Sequence, residues 1–176
     1  NSMDITEKRV PQDGSFKATF KDQNTEHDID FRVATILGAY GEGVTIRILD
    51  QNQKKTDLDR LGFSESNMSR YKTLLDNTEG MIIITGPTGS GKTSTLYATI
   101  NELLNKFPGK KIMTAEDPIE FRYEGDDVSQ SQLLRARGLG FAELLRSFLR
   151  HDPDIMLVGE IRDQETAETA IKCVQT

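Results

Sequence analysis

Residues 81–100, MIIITGPTGSGKTSTLYATI, decide how this chain is read. Residues 81–85 form a short apolar run, the kind of strand expected in a parallel sheet covered on both faces. Residues 92–106 carry a helical pattern. Between them GPTGSGKT, residues 86–93, fits G-x-x-x-x-G-K-[ST] in the strand-to-helix setting that the motif requires. Gly86, Gly89 and Gly91 let the backbone take positive-φ turns and approach a phosphate closely. The amide groups of the loop and of the helix start make a site for anionic oxygens, formed by Gly86, Pro87, Thr88, Gly89, Ser90, Gly91, Lys92, Thr93 and Ser94. Lys92 places a cation on the β and γ oxygens, and the Thr93 hydroxyl can bind Mg²⁺. The loop therefore predicts binding of a nucleoside triphosphate.

Outward from the loop, strands are expected at 81–85, 110–116 and 155–158. Helices are expected from near Ser64, over 92–106, from Phe141 and from about Asp163. Alternating strands and helices imply right-handed crossovers and a parallel sheet, an α/β fold. A complete doubly wound core usually has about five strands or more, so the chain is expected to stop before its fold does. A loaded phosphate loop needs carboxylates at neighbouring strand ends. AEDPIE (115–120) and VGE (158–160) supply the candidates. After residues 155–158 the place where an Asp usually stands is Gly159, and the acid comes one step later, at Glu160. Asp117 and Glu120 read equally as chemistry or as turn stabilisation beside Pro118.

Before the linker at 50–57, alternating residues at 15–20, 29–36 and 44–49 read as strands of a small β-rich domain. The expected division is 1–57 for this domain and linker, and 58–176 for a nucleotide-binding domain incomplete at its end. A register setting Val33 opposite Ile48 would bury both. It would also put Arg32 and Arg47 on the outer face, about one diagonal apart. On pattern alone such arginines solvate an exposed face.

With 22 basic and 28 acidic residues the net charge is −6, which argues against a broad nucleic-acid surface. One cysteine, Cys173, excludes an internal disulfide and fits a reducing compartment. No apolar run approaches the ~20 residues needed to span a bilayer. Arg146 and Arg150 read as a solvated or subunit-contacting face, His151 as a helix-end residue, and Cys173 as a buried apolar one.

Taken together, RVPQDG (9–14), RVATILGAYGE (32–42), GPTGSGKTSTLYA (86–98), AEDPIEF (115–121), FAELLRSFLRHDPDIMLVGEIRD (141–163) and ETAETAI (165–171) resemble the secretion ATPases. More narrowly, they resemble the motors of type II secretion and type IV pilus assembly. The resemblance implies an N-terminal mixed domain beside a RecA-like ATPase domain, a homo-hexamer, and Mg²⁺-dependent ATP hydrolysis that moves pilin-like subunits. It also implies a cytoplasmic place at the inner membrane, with the membrane platform and cytoplasmic adaptor proteins as partners and no nucleic acid.

By matching position, it implies Glu116 for the attacking water, Glu160 with Thr93 for the Mg²⁺ shell, and Lys92 on the phosphates. Arg32 and Arg47 match arginines placed near the γ-phosphate of an adjacent ATP. A fragment of such a motor is expected to bind nucleotide and hydrolyse it weakly. Two other readings stand beside it, a DNA-translocating ATPase on the same core and a non-catalytic nucleotide-binding assembly module.

Overall fold

The computed structural model describes residues 3–22, 25–50, 57–123, 125–134 and 138–175. They fall into two compact units, residues 1–54 and 55–176. In the first, alternating apolar and polar residues form an antiparallel sheet of β1 (Gln12–Asp22), β2 (Thr25–Gly38) and β3 (Gly41–Asp50), in that order. Phe16, Phe31 and Ile48 lie in one row across its apolar face, and the Phe16 and Phe31 rings stack with centroids 4.8 Å apart.

The register differs from expectation by two residues. Val33 faces Ile46, and Arg32 stands directly opposite Arg47. The reason lies in the turn: β2 and β3 run up to Gly38 and Gly41, leaving a two-residue loop where a longer one was expected. A slip of two keeps every side chain on its face, so the pair of arginines survives the correction. Burial does not. Ile46 and Ile48 are 55% and 63% exposed, because among the described residues of this unit no helix lies on the sheet.

The second unit opens with a 3-10 turn at Leu58–Arg60 and α1 (Glu65–Leu74), which Ser64 caps by accepting the Asn67 N–H at 3.4 Å. There follow α2 (Lys92–Lys106), β4 (Ile112–Glu116), β5 (Val128–Gln132), α3 (Phe141–Phe148), β6 (Ile155–Val158) and α4 (Gln164–Val174). The strands form a parallel sheet in the order β5-β4-β6.

All of β4 is buried, and its alternation divides two cores. Ile112 packs with Leu58, Leu75, Ala98, Ile100 and Leu103 on the α2 side. Met113 and Ala115 pack with Phe141, Leu145, Phe148 and Ala170 on the α3 and α4 side. By the same alternation Thr114 and Glu116 face α2. That single fact positions the site.

Two strand expectations need correction. Residues 81–85 carry no strand pairing, and Ile83 is 73% exposed. Both edges of β4 are taken, by β5 and β6, so the apolar run has no place beside the central strand. The third strand is β5, VSQSQ, whose mostly polar residues escape a reading based on apolar runs. It forms an edge, and an edge strand needs little apolar surface.

Candidate functional site

The phosphate loop has the backbone its glycines require. Gly86, Gly89 and Gly91 have φ of +156°, +79° and +87°. A Cβ at Gly86 would sit 2.7 Å from the Ser90 hydroxyl oxygen, so only glycine closes this turn without displacement. The Ser90 N–H reaches the Pro87 carbonyl at 3.3 Å. Gly91 opens α2 without a side-chain cap, which keeps the first-turn N–H groups for an anion. The Lys92 ammonium folds over the loop and donates to the Gly86 and Pro87 carbonyls, each at 2.8 Å. Cationic tip, open amides and left-handed glycines fit a polyphosphate.

The acids stand at the C-terminal ends of neighbouring parallel strands. Ala115 pairs with Val158, and the Gly159 N–H extends the pairing to the Ala115 carbonyl at 2.8 Å. Glu116 is thereby level with Gly159, and Glu160 lies one residue further. A Cβ at residue 159 would lie 3.2 Å from the Ala115 carbonyl oxygen and 3.5 Å from the Glu116 Cα. The first place after β6 is thus pressed against β4, and the acid appears where the chain has cleared it. Glu160 is half-buried and pairs with Arg162 at 2.8 Å.

Glu116 is only 5% exposed, and its carboxylate is held by three donors. Oε1 accepts the Thr114 hydroxyl at 2.5 Å and the Gln130 side-chain amide at 3.0 Å. Oε2 accepts the Tyr97 hydroxyl. The Tyr97 oxygen in turn accepts the N–H groups of Glu120 at 3.1 Å and Phe121 at 3.2 Å. Burial, reinforced by the hydrogen bond to Glu116, pushes the Tyr97 phenol above its ordinary range.

Tyr97 lies four residues beyond Thr93 on α2, one helical turn or about 6 Å along the axis. The helix that opens at the phosphate loop therefore reaches the strand-end carboxylate from a residue about one turn beyond Thr93. Tyr97, Thr114 and Gln130 were not singled out by the sequence reading. Tyr97 could have been, from its one-turn spacing to Thr93, and Thr114 from its place two residues before Glu116; Gln130 had no signal.

Among the described residues no group of three or more His, Cys, Asp or Glu side chains could hold a metal ion. One carboxylate and one hydroxyl suit Mg²⁺, which keeps water and phosphate oxygens in its shell. Thr93 supplies such a hydroxyl at the start of α2, and Glu160 such a carboxylate just after β6.

The remaining candidates are placed as follows. Arg32 and Arg47 lie in the first unit, facing each other across β2 and β3. Arg146 donates to Glu143 at 3.3 Å and to Glu165, tying α3 to α4, and Arg150 donates to the Arg146 carbonyl at 3.2 Å. Glu120 serves the site through its N–H, and Asp117 is half-buried beside Pro118. His151 is exposed, and its carbonyl accepts the Lys111 ammonium at 2.5 Å. Cys173 is half-buried against the core under α3 and α4. Among the described residues no helix is long and apolar enough to cross a membrane.

The whole chain, residues 1–176, matches the family described as Type II/IV secretion system protein. It is 48% identical over 176 residues to the type IV pilus assembly ATPase PilB of Acinetobacter baylyi, covering 100% of this chain and 29% of that protein. With PilB of Myxococcus xanthus the identity is 44% over 99% of this chain and 30% of the relative. With type II secretion system protein E of Dickeya dadantii it is 45% over 99% of this chain and 33% of the relative.

Among solved structures, the Legionella pneumophila ATPase DotB matches with a TM-score of 0.72 and 27% identity, over 93% of this chain and 45% of that one. The pilus retraction motor PilT with bound ADP matches with a TM-score of 0.68 and 30% identity, over 93% of this chain and 45% of that one. The chain thus spans about a third of the length of the curated relatives it matches.

Proposed function

The chain belongs to the Type II/IV secretion system protein family, and from that premise we propose that it is part of an ATP-hydrolysing motor that moves pilin-like subunits in type II secretion or type IV pilus assembly. The observation that carries this reading is the link between Tyr97 and Glu116. It joins a strand-end carboxylate to a residue about one helical turn beyond Thr93 of the phosphate loop, an arrangement that supports hydrolysis.

ATP is held by the amide N–H groups of residues 86 and 88–93, with Lys92 exchanging its loop carbonyls for phosphate oxygens. Thr93 and Glu160 would hold Mg²⁺, which when bound would supply positive charge to the phosphoryl oxygens. Glu116 orients the attacking water; a carboxylate already accepting three hydrogen bonds is better suited to fixing a position than to taking a proton. Arg32 and Arg47 stabilise the transferred phosphoryl group of an adjacent ATP, in a homo-hexamer whose domains rotate as nucleotide turns over. The assembled protein works on the cytoplasmic side of the inner membrane, with the membrane platform and adaptor proteins as partners.

The test is Glu160→Gln in the full-length protein. Phosphate release should fall by about a hundredfold or more while binding of a fluorescent ATP analogue is kept. Equal phosphate release before and after the change overturns the catalytic reading. Turnover stimulated by DNA overturns the secretion reading in favour of a DNA translocator.

A further inference from the structure

Around Glu116 the structure holds more than the proposed chemistry uses. The Tyr97 hydroxyl has one proton and two lone pairs. All three are committed: the proton to Glu116, the lone pairs to the N–H groups of Glu120 and Phe121. Its ring meets Phe121 edge-on at 5.8 Å and Tyr123 at a tilt at 6.0 Å, and the Tyr123 hydroxyl donates to the Tyr97 carbonyl at 3.0 Å. One oxygen on the phosphate-loop helix therefore joins the strand-end acid to the loop that follows it.

We infer that Tyr97 is a positioning residue for Glu116, and that its hydroxyl carries movement of the phosphate-loop helix to the carboxylate and to residues 117–121. The inference rests on the ATPase reading above and deepens it. Thr114 and Gln130 hold Oε1 from the sheet itself, so they fix the carboxylate relative to β4 and β5. Tyr97 alone among the three donors belongs to the element that begins at the phosphate loop. Displacing α2 along its axis loads the bond to Oε2 and, through the same oxygen, two backbone amides. The three bonds share one atom, so they are gained or lost together. Phenylalanine keeps the ring and its two aromatic neighbours and removes all three.

The experiment compares wild type, Tyr97→Phe, Tyr123→Phe, Glu116→Asp and the Tyr97→Phe/Glu116→Asp double variant, each as the full-length protein. Tyr97→Phe should lower kcat for MgATP about tenfold to a hundredfold, while KM and the affinity for the ATP analogue change by less than about twofold. Tyr123→Phe disturbs the same aromatic cluster without touching Glu116 and should retain kcat. In the Glu116→Asp background, which shortens the carboxylate, the Tyr97→Phe loss should shrink to less than about threefold.

A second readout needs no turnover. Amide hydrogen exchange in the peptide covering residues 117–123 should quicken in Tyr97→Phe, because two N–H groups lose their acceptor. An unchanged kcat, full additivity with Glu116→Asp, or unchanged exchange in that peptide each overturns the inference. Failure of the underlying reading looks different: wild type itself would release no phosphate, while the exchange arm would still report whether Tyr97 holds the loop.

Discussion

The Tyr97 hydroxyl donates to the Glu116 carboxylate, joining the helix of the phosphate loop to the central strand of the parallel sheet. The contact follows from two periodicities. Alternation on β4 turns residue 116 toward α2, and one helical turn separates residue 97 from the loop's last threonine.

Gly159 is fixed by crowding rather than by backbone conformation. In Gly159→Ala the new methyl would meet the Ala115 carbonyl oxygen at 3.2 Å, a backbone atom of a buried strand, with the Glu116 Cα in ordinary contact at 3.5 Å. That oxygen cannot step aside cheaply. The variant should be destabilised by about 1–3 kcal/mol, read as a lowered urea midpoint with an unchanged slope. Turnover should fall as well, since the displaced strand ends carry both acids. A midpoint equal to wild type would show that β4 and β6 are not in the contact described.

Arg32 and Arg47 are like charges placed directly opposite each other, an arrangement that costs stability. Arg47→Gln should therefore stabilise the fold slightly, by about 0.2–1 kcal/mol, read as a higher denaturation midpoint. In the role proposed for it, the same change in the full-length protein should lower phosphate release by about a thousandfold. The opposed signs separate a functional pair from a solvated face. A variant that gains stability and keeps full turnover would mark the two arginines as surface residues only.

Acid sensitivity has a local source at the start of β4. Asp154 accepts the Lys110 ammonium at 2.5 Å and the Lys111 N–H at 2.8 Å, and these hold its carboxyl below the ordinary value of 3.8. A depressed folded value means that the contribution to stability is present above that ordinary value and is lost as pH falls through the folded one. The carboxylate is partly exposed, so solvent screening limits the effect to about 0.5–1 kcal/mol. Asp154→Asn should be less stable than wild type at about pH 6, and that deficit should be smaller at about pH 3. Urea midpoints at the two values measure it, and a constant difference would assign the loss to something other than titration.

The chain itself determined whatever depends on neighbours close along it. Glycine spacing with Lys92 set the phosphate cradle, the apolar repeat from Phe141 set α3, and Ser64 and Asp163 set helix starts. These are local steric and hydrogen-bonding preferences that every stretch of backbone carries with it. Tertiary structure decided what depends on which strand lies beside which. It gave β4 the polar VSQSQ as a partner in place of the apolar residues 81–85. It moved the arginines from a diagonal to a direct pair through the length of one turn, and it gathered Tyr97, Thr114 and Gln130 on one carboxylate. Such contacts join residues as far apart as 97 and 130 in the chain; only the packing of α2 and β5 against β4 brings them together, and no local propensity encodes that meeting.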